Sequence, residues 1–105
     1  MAWLYLFVAG LLETGWSASL KSSSESPSIL LIASTATLVL LSMGFLALSL
    51  KTLPLGVAYP IWTGIGSVGS VVAGAVLFRE QLHLNSMIGV ALICLGILLV
   101  SLKPS

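Results

Sequence analysis

Ser28-Ile-Leu-Leu-Ile-Ala-Ser-Thr-Ala-Thr-Leu-Val-Leu-Leu-Ser-Met-Gly-Phe-Leu-Ala-Leu-Ser-Leu50 runs without a single charged side chain. At about 1.5 Å of rise per residue, a helix of that length covers the roughly 30 Å hydrocarbon core of a bilayer. Three further apolar runs, 2–20, 55–78 and 85–102, lie on either side of it. Each approaches the roughly 20 residues that a crossing helix needs. The linkers are short and polar: Ser22-Ser-Ser-Glu25-Ser-Pro27, Lys51-Thr-Leu-Pro54 and Arg79-Glu-Gln-Leu-His83-Leu-Asn85. They carry charge together with helix-stop or capping residues. The expected fold is therefore an all-α integral membrane protein, a single four-helix transmembrane domain over 1–105.

Composition agrees. Of the 105 residues 58% are hydrophobic and 7% charged, and mean hydropathy is +1.17. A soluble domain this small buries too little of its surface to hide so much apolar area. The lipid bilayer is the expected partner. The four basic residues, Lys21, Lys51, Arg79 and Lys103, are scattered, which offers nucleic acid no patch. Cys94 is the single cysteine and His83 the single histidine. Neither a disulfide nor a zinc set can be assembled from them, so no metal and no cofactor is expected. Cys94 reads as a small core residue and His83 as a surface one. No serine has a histidine base within the spans and no acid has an acidic partner there, so the chain does not read as an enzyme. Trp16-Ser-Ala18-Ser imitates a signal-peptide cleavage site, but the preceding Met-Ala-Trp-Leu lacks a basic region, and an uncleaved first span is expected.

Glu13 is the anomaly of the first span. A charged carboxylate at a span's centre costs about 2.5–3.5 kcal/mol on insertion scales, so such a group usually faces a cavity or a partner. Helical spacing puts Gly10, Trp16 and Ser17 on its face. An acid, an aromatic plane, a hydroxyl and a gap suit an organic cation.

In the third span, Tyr59, Trp62, Thr63 and Gly66 share a second face. An interfacial aromatic belt would account for Tyr59, whereas Trp62, about two turns inside, is expected to line a cavity. Pro60 removes a backbone bond and, with Gly64 and Gly66 following, marks a segment able to kink or flex. Gly64-Ile-Gly66-Ser-Val-Gly69 imitates a dinucleotide-binding fingerprint, yet without a strand and a βαβ unit the match is accidental. Ser42 stands on one stripe of the second span with Phe45 and Ser49. Gly66, Ser70 and Gly74, and separately Gly89 and Gly96, make smooth grooves for helix packing, within one chain or between two.

Four spans put Lys21 and Arg79 on one side of the membrane and Lys51 and Lys103 on the other, so the positive-inside rule selects no orientation. Oppositely inserted copies can then pair, and an antiparallel dimer is the expected working unit. A helical subunit of a larger complex, with Glu13 paired to a partner's basic residue, is the rival reading.

Glu13, Trp16, Lys21, Lys51-Thr-Leu-Pro-Leu-Gly56 and Ala58-Tyr59-Pro-Ile-Trp62-Thr-Gly64-Ile-Gly66, with the glycine pair of the fourth span, resemble the small multidrug resistance family of bacterial transporters along the whole chain. That resemblance implies an antiparallel homodimer, or in paired members a heterodimer, in the inner membrane. It also implies exchange of protons for small organic cations at a membrane-embedded glutamate pair. On this resemblance Glu13, Trp16, Ser42, Tyr59, Trp62 and Thr63 are the substrate and proton site. Pro60, Gly64 and Gly66 are then the flexing segment, and Gly89 and Gly96 the dimer packing. Lys-Thr-Leu-Pro-Leu-Gly and Trp-Thr-Gly-Ile-Gly look more like the guanidinium exporter branch than the quaternary ammonium branch. Thr14-Gly15, Val57, Pro60 and the fourth span depart from that branch.

Overall fold

The computed structural model describes residues 1–102. Four helices follow one another: α1 Ala2–Glu25, α2 Ile29–Ser49, α3 Leu55–Leu77 and α4 Leu84–Ser101. The expected apolar runs coincide with them to within one residue at each end, except that α1 extends one turn further, through the serines to Glu25. Pro27 ends that extension, since a proline disfavours helical backbone at the residue before it. The Ser28 hydroxyl then starts α2 by accepting the Leu31 N–H at 3.1 Å, an N-cap that satisfies one of the helix's free donors.

At the other turn, Arg79 adopts left-handed backbone with φ 55°. This stops α3 and lets the Glu80 N–H close on the Gly74 carbonyl at 3.0 Å. α3 itself continues through Pro60 without interruption.

α2, α3 and α4 are each long and apolar enough to cross a membrane. α1 is long enough, but Glu13 and its run of hydroxyl residues lower its hydropathy. α1 packs against both α2 and α3, whereas α4 packs on α3 alone. Trp3, Val57, Val100 and Ser101 border one pocket. The start of α1, the start of α3 and the end of α4 therefore lie at one end of the bundle, and Lys21 and Arg79 lie together at the opposite end. Lys103, the fourth charge in the orientation argument, is outside the described residues.

The core is small: Leu6, Ala9, Leu46, Ala58, Ile61 and Trp62 are buried. α4 buries no residue at all. Cys94, expected in the core, is exposed on it, because a helix with a single neighbour turns most of its circumference outward. His83 is exposed at the N-cap of α4.

Candidate functional site

α1 lies in a groove on α3 that small residues make. Gly66 is the seat of Glu13: a methyl group there would collide with the carboxylate itself. One turn on, Gly69 leaves room for the Thr14 hydroxyl, and one turn back, Gly10 of α1 admits Ile65. Gly64, only two residues from Gly66, faces the other way and receives Ile97 of α4. The glycine-rich stretch thus serves three neighbours in turn. Close helix approach is what small residues supply in a membrane, where apolar burial alone does not drive helices together. Within this chain Gly66 and Ser70 of that stripe face α1, and Gly74 takes the Glu80 side chain.

Among the described residues the buried Oε1 atom of Glu13 has no hydrogen-bond partner, nor has the buried indole Nε1 of Trp16. An unmet acceptor and an unmet donor therefore stand one turn apart on one face of α1. Leaving a buried polar atom unpaired costs about 1–3 kcal/mol, more for a charged group.

Trp62 and Ser42 lie deeper than a lining role implies. Trp62 is 6% exposed and Ser42 fully buried. The indole Nε1 of Trp62 donates to the Ser42 hydroxyl at 3.0 Å and to the Ala9 carbonyl at 3.2 Å. Ser42 in turn donates to the same Ala9 carbonyl at 2.8 Å. Ala9 stands four residues before Glu13, where the helix repeat assigns its carbonyl to the Glu13 N–H. The triad of Ala9, Ser42 and Trp62 thus locks α2 and α3 onto the turn of α1 that presents the acid. Among the described residues neither Ser42 nor Tyr59 hydrogen-bonds Glu13.

Tyr59 is 48% exposed, its ring 5.3 Å from that of Trp62 at an interplanar angle of 57°. Thr63 spends its hydroxyl on its own helix, 3.1 Å from the Tyr59 and Pro60 carbonyls. Together with Pro60, Gly64 and Gly96 it borders a groove of about 360 Å³ between α3 and α4. Among the described residues, nothing beyond their own helix backbone lies within 4 Å of where a side chain would start at Gly89 and Gly96, so this chain leaves space at both. The structure therefore gathers Glu13, Trp16 and Gly66 at one seam and Ser42 and Trp62 behind it, and leaves Thr63, Gly89 and Gly96 elsewhere.

Bilayer-length apolar helices define a helical integral membrane protein, and an acid set among them makes Glu13 its candidate functional residue. The Small Multidrug Resistance protein family matches residues 1–93, and the chain belongs to that family of four-helix membrane transporters. It is a multi-pass protein of the bacterial inner membrane. Similar proteins include the "Guanidinium exporter" of Proteus vulgaris, 41% identical over 102 residues that cover 93% of this chain and 94% of the relative. The "Guanidinium exporter" of Escherichia coli (strain K12) is 42% identical over 93% of each chain. That of Yersinia pseudotuberculosis is 42% identical over 93% of this chain and 94% of its own length.

Proposed function

We propose that this chain exports small organic cations, guanidinium-type ions foremost, in exchange for protons, with Glu13 as the shared binding group. The unpartnered carboxylate of Glu13 over Gly66 is the observation that carries the reading. A planar cation bearing N–H groups would satisfy this acceptor through paired charge-assisted hydrogen bonds. Trp16 and Tyr59 would add aromatic faces, each contact worth about 0.5–2 kcal/mol. The names of the similar proteins support guanidinium as the substrate class.

The working unit is an antiparallel homodimer in which two Glu13 carboxylates face one chamber. Protons and cation compete for that pair, so arrival of one releases the other, and exchange across the membrane follows. The open flank of α4, with Gly89 and Gly96 free of neighbours, supplies a packing surface for the second copy. Ser42 and Trp62 hold the acid-bearing turn in place, and Pro60, Gly64 and Gly66 are the segment of α3 that yields as access alternates.

The test is proton release from purified protein on adding guanidinium, and separately a tetraalkylammonium ion, with Glu13→Gln as control. Release with guanidinium that the substitution abolishes supports the reading. Release with the alkylammonium ion alone makes the chain a multidrug-type exporter, and no release with either counts against transport by this chain alone.

A further inference from the structure

Beyond Glu13 the seam between α1 and α3 continues, one turn at a time, toward the turn that joins α3 to α4. Ser17 faces Ser70 there, their hydroxyls 2.8 Å apart. Ser17 also donates to the Thr14 carbonyl at 2.9 Å. Its single proton is thereby spent, so Ser70 must be the donor within the pair. Both protons are then used in these bonds, so the two hydroxyls turn lone pairs to the cavity beside them.

That cavity, about 170 Å³, is bordered by Ser17, Lys21, Ser70, Gly74 and Glu80. The Glu80 side chain folds back over Gly74, which has no side chain to exclude it. Among the described residues Glu80 has no ion pair. Lys21, the cation on the same wall, is held by Glu25 at 3.4 Å. The exposed Glu80 carboxylate and two hydroxyl oxygens, all acceptors, therefore border one cavity with Lys21.

We propose that Glu80, Ser17 and Ser70 form a second, peripheral cation station at the mouth of the α1–α3 seam. It takes a small planar cation with several N–H donors before that ion reaches Glu13. The station rests on the reading of the chain as a small-cation exporter, and it narrows the substrate class. Three acceptors reward an ion that brings N–H groups, whereas a quaternary ammonium gains from the carboxylate's charge alone.

The experiment removes the first site to expose the second. Full-length Glu13→Gln protein, isotope-labelled and in bicelles, is titrated with guanidinium chloride against sodium chloride at equal ionic strength, and the amide resonances of Ser17, Ser70, Gly74 and Glu80 are followed. The expected result is a saturable shift at these four residues. It is lost when Glu80→Gln is added, retained with Glu80→Asp and weakened about threefold to tenfold by Ser70→Ala, as for loss of one hydrogen bond to a charged ligand. Tetraethylammonium should produce no saturable shift. Absence of a saturable guanidinium shift, its survival in the Glu13→Gln, Glu80→Gln double variant, or equal binding of tetraethylammonium would overturn the proposal. These shifts need no turnover, so failure of export at Glu13, read from proton release by the unsubstituted protein, is a separate outcome.

Discussion

The Glu13 carboxylate rests on Gly66, so close to the α3 backbone that a Cβ added there would meet it and force it to shift. An acid in a membrane helix needs room and a reason to stay. Here the room is made by a missing Cβ on the neighbouring helix, and the same missing Cβ lets α1 and α3 approach. Acid and glycine form one structural unit, which has consequences for each.

Replacing Gly66 by Ala should destabilise the protein by about 1–3 kcal/mol, the usual range for overpacking a tight contact. The same change in a Glu13→Ala background should cost much less, because the atoms it would strike are gone. A double-mutant cycle on unfolding free energy should therefore give a coupling of about 1 kcal/mol or more. Additive effects would mean that Glu13 does not sit on Gly66.

Glu13→Gln keeps the shape of the side chain and removes its charge. Uptake of guanidinium into proteoliposomes driven by a pH gradient should fall to the level of empty vesicles, with the helix content unchanged by circular dichroism. Proton-driven uptake that survives in this variant would remove Glu13 from the proposed exchange.

Ser42→Ala deletes one of the two acceptors of the Trp62 indole N–H and one of the donors to the Ala9 carbonyl. Both groups keep a partner in each other, so the loss should be about 1 kcal/mol. The indole N–H resonance of Trp62 should shift while that of Trp16, which shares no bond with Ser42, stays in place. Equal movement of both would mean that Ser42 acts on the bundle as a whole.

Gly96→Leu adds bulk where this chain has nothing within 4 Å. A monomer should accept it with a change below about 0.5 kcal/mol, as surface substitutions usually are. If α4 carries the proposed dimer contact, self-association in detergent, followed by sedimentation, should weaken at least about tenfold, a cost of about 1.4 kcal/mol. Unchanged association would move the interface away from this groove.

Much of this architecture can be read along the chain. Apolar runs of bilayer length and the prolines and serines between them mark the four helices, because hydropathy and capping are local properties. Glu13 announces itself for the same reason, as the one acid in a run that otherwise avoids charge. The glycines are less legible: their spacing does not tell that Gly64 and Gly66 receive different neighbours, Ile97 and Glu13. Trp62 reads as a cavity wall and lies in the core, bonded to Ser42 and Ala9. The Ser17–Ser70 pair was within reach, since both residues stand one helical turn beyond Glu13 and Gly66.

By itself, the amino-acid sequence determined that this chain is a helical membrane protein, which stretches form its four helices, and that Glu13 is its exceptional residue. Only the tertiary structure decided which face of each helix meets which neighbour. A soluble helix declares its inner face by an apolar stripe, but a membrane helix is apolar all round, so periodicity leaves its rotation open. That rotation is settled by a few small residues and hydrogen bonds, with Gly66 under Glu13, Gly64 under Ile97 and Ala9 under Trp62, whose partners lie tens of residues away in the chain.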